Sequence, residues 1–394
     1  MKRLFAVLAL FSISFGADLM AQRRRAVAPP EATPPKLGDP LPNLSAADRA
    51  LFEKGRAEFE HLHSPDEGLG PVFNEHSCRQ CHGVPVAGGF SPRTVTRIGT
   101  LVNGVFDPLT RLGGPALQVR AIEGPQSPHK FRPEQIPPGT TIAARRRTLA
   151  LFGLGLVDAT SDIAFINLAA QQAARNDGTA GRAALVDNIA AGMRTVGKFG
   201  WKAQVPTLHQ FAGDAYLNEI GITSPEFPEE NCPSGDCAEL QFNPRPGLND
   251  SGADVRKLVD FMRFLAPPPR GPITADVTAG EAVFTRIGCD SCHVQTLQTA
   301  SGVTYHPYSD FLLHDMGAAF ADGVPQGDAS AREFRTAPLW GLRANQEWFT
   351  HTAGARTVTG AILAHDGQGR AARDRFNALN ATDRARLLAF LGSL

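Results

Sequence analysis

The pattern Cys-x-x-Cys-His occurs twice, at Cys78-Arg-Gln-Cys-His82 and at Cys289-Asp-Ser-Cys-His293, and it constrains this chain more than any other feature. Two thiols three residues apart share one face of a helical turn and reach the two vinyl groups of a haem. The histidine that follows then offers its imidazole to the iron. A zinc reading needs a second pair of ligands beside each copy, and none is evident. The duplication therefore predicts two covalently bound c-type haems, attached at Cys78 and Cys81 and at Cys289 and Cys292, with His82 and His293 on the metals.

Such attachment belongs to an oxidising compartment, and the start of the chain agrees. Lys2 and Arg3 precede an apolar run from Leu4 to Phe15 and small residues up to Ala21. This reads as a secretory signal peptide over residues 1–21, because the run is shorter than the roughly 20 residues that span a bilayer. The expectation is a periplasmic protein without a membrane span in its mature part. Lys and Arg total 39, as do Asp and Glu, so no charged field calls for nucleic acid. Residues 22–42 carry six prolines from Pro29 to Pro42 and suit an extended tether.

Beyond the tether the chain reads as a tandem. Ser45 with Asp48 and Thr278 with Glu281 form capping-type pairs ahead of the two motifs. Ser251-Gly-Ala-Asp254 and Asn380-Ala-Thr-Asp383 open two amphipathic stretches that close the units. The proline-rich Ala266 to Pro272 separates them. The predicted architecture is mostly α, with two tandem cytochrome c-like domains over residues 43–266 and 273–394 joined by long Gly- and Pro-rich loops. Further helices are predicted at Ile163–Arg175 and Gly181–Arg194. Cys232 and Cys237 lie in a turn-rich loop and suit a structural disulfide, a catalytic dithiol being the alternative.

Several stretches then carry a resemblance. Glu333-Phe-Arg-Thr-Ala-Pro-Leu-Trp-Gly-Leu342, His351 and Ala361-Ile-Leu-Ala-His365 are similar to the C-terminal domain of bacterial di-haem cytochrome c peroxidases. Gly70-Pro-Val-Phe-Asn74, Ala150-Leu-Phe-Gly-Leu-Gly-Leu156, Phe199-Gly-Trp-Lys-Ala203, Gly221-Ile-Thr-Ser224 and Pro307-Tyr-Ser-Asp-Phe-Leu-Leu-His-Asp-Met-Gly317 resemble the di-haem oxidoreductase family, also called thiol oxidoreductase-like. The resemblance runs from about residue 50 to the end.

It implies a peroxidase-like enzyme that takes electrons from a small periplasmic cytochrome or cupredoxin and passes them from the second haem to the first, where hydrogen peroxide or another small oxidant reacts. His365, 14 residues after His351, stands where the peroxidases place the second ligand of the C-terminal haem; Met316 and His314 are rivals. Gly88 to Leu101 holds neither His nor Met, which implies an open first iron unless His129, His209 or Met193 closes it. Gln118, Glu123 and His129 are implied as helpers in O–O cleavage. Trp201 is implied as a relay between the haems, with plain packing as its alternative, and Arg145, Arg146 and Arg147 are candidates to neutralise propionates. Phe349-Thr-His-Thr-Ala-Gly354 departs from the tight turn of the peroxidases, which leaves their calcium site undecided here. A pure electron carrier with two closed irons is the competing function. Thiol oxidation at Cys232 and Cys237 is a third.

Overall fold

A computed structural model describes residues 34–122, 129–345 and 347–394; the signal-peptide stretch and Glu123 lie outside them. The architecture rests on two helix pairs. Helix α1 (Ala46–Glu60) starts where Ser45 Oγ accepts the Asp48 amide. It turns Phe52, Gly55 and Phe59 inward at helical spacing. Helix α2 (Asp162–Arg175) follows the expected range closely. Helix α3 (Ala253–Phe264) begins under the Asp250 carboxylate, which accepts the Asp254 and Val255 amides. The cap is thus Asp250 and not Ser251, the first residue of the stretch expected to open this helix. Helix α4 (Ala275–Arg286) is capped by Thr274, one turn before the Thr278–Glu281 pair expected to open it. The short α5 (Val358–Leu363) is capped by Thr357, and α6 (Ala381–Leu391) by Asn380, whose side chain accepts from Asp383.

Helix α1 packs on α3 and α4 on α6, and the two crossings use the same device. A Cβ on Gly55 would lie 2.3 Å from the Lys257 carbonyl oxygen, and one on Gly280 only 2.0 Å from that of Arg386. Hydrogen alone fits there. Four residues on from each of these positions stands a phenylalanine, giving the ring pairs Phe59–Phe261 at 4.6 Å and Phe284–Phe390 at 5.2 Å. The first crossing sits in the larger core, which also takes in Tyr305, Phe311, Leu312 and Trp340. The second has its own core with Val277, Phe376 and Leu394.

The class is mixed, at 35% helix and 15% strand, which corrects the mostly α expectation. Strands β1 (Thr94–Val102), β2 (Val105–Asp107) and β3 (Ile142–Arg147) form an antiparallel sheet in the order β2-β1-β3, with Thr94 opposite Arg147 and Gly99 opposite Ile142. The alternation that marks a strand is hidden in β3 because two of its buried positions are Arg146 and Arg147. The stretch expected as a helix from Gly181 to Arg194 is instead a hairpin of β4 (Leu185–Asn188) and β5 (Met193–Val196). Asn188 accepts the Ala191 amide through its side chain, and Gly192 takes φ +62, so turn chemistry overrides the alanine-rich pattern. The end of the expected tether is tied down, since Leu41 donates to the Phe264 carbonyl and Ala266 to that of Asp39. Strands β6 (Leu313–Asp315) and β7 (Glu333–Arg335) complete the frame around the second motif.

Candidate haem centres

The second Cys-x-x-Cys-His sits just beyond the end of α4. Gly288, at φ +82, turns the chain into a 3-10 turn over Cys289–Ser291, and the His293 amide donates to the Cys289 carbonyl. Opposite stands His365, just beyond α5. The two rings lie 6.4 Å apart at 56°. His293 Nδ1 donates to the Tyr308 carbonyl and His365 Nδ1 to that of Ala361, each at 2.9 Å. A carbonyl only accepts, so both Nδ1 atoms carry the proton and both Nε2 atoms keep a free lone pair. Burial pushes His293 down to about 4 and lowers His365 as well, so both imidazoles are neutral near pH 7. Metal–nitrogen bonds of about 2 Å on each side would place two such rings about 6 Å apart. The donor set and spacing therefore fit one metal between them.

The rivals are placed differently. Met316 Cε packs over Gly369 next to His365 Cδ2, both about 3 Å from where a Gly369 Cβ would stand. His314 has both nitrogens engaged, Nε2 with Asp310 Oδ2 at 2.9 Å and Nδ1 with Cys292 Sγ at 3.5 Å. Burial works against its charge, yet the Asp310 carboxylate outweighs that and raises it well above the ordinary value.

A cavity of about 320 Å³ opens beside the imidazole pair, walled by Phe284, Ile287, Trp340, Ile362 and Leu391 and reaching Phe90, Leu149 and Trp201. Arg147 and Arg335 line it, and neither forms an ion pair among the described residues. Arg147 donates to the carbonyls of Thr148 and Thr350, and Arg335 to those of Gly200 and Thr336. Burial lowers both to about 10. Buried guanidiniums without a carboxylate are costly, and an acidic ligand relieves that cost. Beside Arg147, Arg146 is bound to Asp322 at 2.6 Å, and Arg145, Arg146 and Arg147 all lie on β3.

The first motif repeats the frame. Cys78–Cys81 form a helical turn in which Gln80 Oε1 accepts the His76 and Ser77 amides. The His82 carbonyl then receives the Gly88 and Gly89 amides. The Phe59 ring stands 6.2 Å from His82 at 56°, matching Phe284 and His293 at 6.3 Å and 56°. Burial pushes His82 down to about 4, and its Nδ1 has no hydrogen-bond partner among the described residues. Among the described residues no imidazole faces it as His365 faces His293. Met193 is 64% exposed, His209 faces Glu226 at 3.5 Å, and His129 pairs with Glu239 at 2.5 Å. The four motif cysteines form no disulfide. Burial holds Cys78, Cys81 and Cys289 at about 12, unlike a reactive dithiol.

Gln118 is buried, and its Nε2 donates to the Asn218 carbonyl while its amide donates to Glu134. Glu134 also accepts from Ser234 in the loop closed by the Cys232–Cys237 disulfide. His129, stacked on Phe242 at 4.2 Å, is anchored near the same loop. Glu123 is outside the described residues.

Trp201 donates its Nε1 to the Arg147 carbonyl and lies 6.1 Å from His351. His351 packs on Phe334 at 4.2 Å and Phe320 at 4.7 Å, and Phe320 is 6.5 Å from His365. The rings thus form a continuous series from His365 to Trp201.

Two groups escaped sequence reasoning. Glu219, on a π-helical turn from Tyr216 to Ile220, is half-buried, has its pKa raised by desolvation and accepts from Asn74 at 2.7 Å. Lys202, fully buried, donates to the Ser330, Ala331 and Glu333 carbonyls and is lowered by burial to about 7. No local pattern flags either, because their partners are far away in sequence.

No curated protein matches the chain. Among solved structures, hydrazine synthase from Kuenenia stuttgartiensis aligns at 13% identity over 99% of this chain and 100% of that one, with a TM-score of 0.40. A MauG-like protein associated with microbial copper homeostasis aligns at 13% over 92% and 94%, again at 0.40. The diheme peroxidase BthA from Burkholderia thailandensis aligns at 17% over 91% and 87%, also at 0.40. The family model described as "Di-haem oxidoreductase, putative peroxidase" matches residues 139–394, which include the second motif and follow the first. The chain belongs to that family of di-haem, peroxidase-like oxidoreductases.

Proposed function

We propose that this protein is a periplasmic enzyme carrying two c-type haems, one in each of two cytochrome c-like halves, residues 43–266 and 273–394. Cys78 and Cys81 would form the thioethers of the first, with His82 on the metal. Cys289 and Cys292 would form those of the second, held by His293 and His365. When bound, the haems supply one-electron chemistry and, at an open iron, reaction with a small oxidant such as hydrogen peroxide.

The observation that carries the reading is the contrast between the two histidine environments. His293 faces His365 across 6.4 Å, a closed arrangement suited to passing electrons. His82, in the same Phe-lined frame, faces no second imidazole among the described residues. Electrons would thus enter at the second centre from a small periplasmic cytochrome or cupredoxin and leave at the first.

The chain's own residues would do the rest. Tyr308 and Ala361 fix the two imidazoles through their carbonyls. Arg147 and Arg335 would bind the carboxylates that a haem brings. Trp201 and His351 fill the space between the halves with aromatic rings instead of water. At the first centre Gln118, His129 and Glu123 are the proposed polar helpers, and Glu219, its pKa raised by desolvation, would hold a proton on its carboxyl. With the departure at Phe349–Gly354, this reading includes no calcium site.

The test is the purified, secreted protein. Its mass should exceed the polypeptide by two haems, and resting-state EPR should show one low-spin centre and a high-spin fraction that reacts with hydrogen peroxide, in the oxidised or half-reduced state. Two low-spin centres inert to peroxide in both states would leave a pure electron carrier.

A further inference from the structure

Where α1 ends, the chain runs extended through His61, Leu62 and His63, with His61 at φ −62 and ψ 136. Alternation along extended backbone sends Leu62 outward, 62% exposed, and brings the flanking imidazoles to one side. Their rings lie 4.7 Å apart, edge to face at 84°. The next turn, Pro65–Glu67, then folds a carboxylate back onto them. Glu67 Oε2 accepts from both the amide and the hydroxyl of Ser64, each at 2.9 Å. This aims Oε1 at His61 Nε2, 2.8 Å away. One donor atom from each of His61, His63 and Glu67 lies within 4.8 Å of the others.

We propose that His61, His63 and Glu67 form a binding site for a divalent transition-metal cation of the zinc and copper class. Two imidazoles and one carboxylate are the donors such borderline ions take, with a water completing the shell. Ligand atoms around a tetrahedral ion sit roughly 3.4 Å apart, so the three donors need only small side-chain rotations to close on one ion.

The surroundings support a built site over a chance surface pair. His63 is buried and faces the Tyr216 hydroxyl at 3.4 Å and Glu58 Oε1 at 3.6 Å. Glu58 is held in turn by Tyr216 and by Lys257 Nζ at 3.1 Å. Ligands oriented by such outer hydrogen bonds are the rule in metal sites. Ser64 does for Glu67 what Glu58 and Tyr216 do for His63. The His63 amide also donates to the His76 carbonyl, two residues before Cys78. A bound ion would therefore staple the end of α1 to the segment that enters the first Cys-x-x-Cys-His motif.

The site is independent of the haem reading, and the probe is Zn²⁺ added to the full, haem-loaded protein. Calorimetry should show one ion bound per chain at micromolar affinity, and zinc-edge X-ray absorption should show two imidazoles in its shell. His61→Ala and Glu67→Gln, both at exposed positions, should each weaken binding at least tenfold while the haem spectrum stays unchanged. His63→Gln should do the same, but its burial makes the two exposed variants the deciding ones. Absence of a stoichiometric site, or binding that neither exposed variant alters, overturns the proposal.

Discussion

Gly280→Ala tests whether the crossing of α4 and α6 sets the second centre. The new methyl would meet the Arg386 carbonyl oxygen at 2.0 Å, its carbon at 2.6 Å and Phe390 Cβ at 2.8 Å. Ordinary contacts between such atoms need about 3.5 Å, so the helices must part by more than 1 Å. All three atoms belong to the facing helix, two of them backbone and the third a Cβ, so no flexible side-chain end can swing away. Overpacking of this kind costs about 3 kcal/mol at its upper end. Alanine recovers about 1 kcal/mol of that through its better helix propensity. A net loss of about 2 kcal/mol follows, roughly 4–8 °C in melting temperature for a unit of this size.

Thermal and urea unfolding of the haem-loaded protein measure it. Gly55→Ala is the twin, because its methyl would meet the Lys257 carbonyl oxygen at 2.3 Å and the Phe261 amide at 2.8 Å. The two losses should add within about 0.5 kcal/mol, as expected for sites that share no partner. Gly280→Ala should also broaden the spectrum of the second centre, since Phe284 links the crossing to His293 at 6.3 Å. A variant as stable as the parent, or more so, would refute the crossing argument, because an ordinary helical glycine gains from this change.

His365→Ala should turn the second centre high-spin and raise its potential, whereas Met316→Leu should leave its low-spin spectrum nearly intact; the reverse pattern, read by EPR and redox titration, would sink the ligand assignment. His351 is buried, with both ring nitrogens unpartnered among the described residues, and burial lowers it to about 4. The unfolded chain therefore takes up a proton below about pH 6.5 that the folded chain refuses until near pH 4, and stability falls as pH drops through that window by up to about 3 kcal/mol. In His351→Phe that part of the slope should vanish from urea midpoints measured between pH 7 and 4, and an unchanged slope would show that another group carries it. Replacing Cys232 and Cys237 by Ser should cost about 2 kcal/mol for so short a loop and leave peroxide turnover intact. Lost turnover at full haem content would instead revive the thiol-oxidation reading.

The parts of this molecule that were legible in the sequence are those whose chemistry is local. Each Cys-x-x-Cys-His announces itself because its members share one turn, and Ser45 and Asn380 announce helices because a cap and its amide are three residues apart. The disulfide between Cys232 and Cys237 was readable for the same reason. What failed was long-range or disguised. β3 looked like a charged stretch because Arg146 finds its carboxylate at Asp322, far along the chain. The hairpin from Leu185 to Val196 looked helical because Ala183, Ala184, Ala190 and Ala191 give the stretch around it an alanine-rich pattern. His365 stood out only through a resemblance; the carbonyl of Ala361 that sets its tautomer, one helical turn away, has no signature in residue type. Glu219 and Lys202 were invisible because the groups that hold them, Asn74 and the carbonyls of Ser330, Ala331 and Glu333, lie far away in sequence.

On the proposed reading, the duplicated frame also accounts for how one chain can hold two unlike centres. The Gly-Phe crossing fixes where each motif histidine stands, and it does so alike in both halves, as the matching Phe–His distances and tilts show. Nothing in that crossing dictates what faces the histidine. In the second half the interval between motif and closing helix includes the short α5, which ends where His365 can face His293. In the first half the interval is far longer and holds the sheet, the hairpin and the disulfide loop, with Arg147 and Trp201 turned toward the shared cavity. The frame costs are met by the helices, so this interval is free to carry polar groups such as Gln118, Glu134 and Glu219 that would destabilise a small core. On the proposed reading, the asymmetry between a closed carrier and an open reacting centre comes from the insertions and not from the repeat.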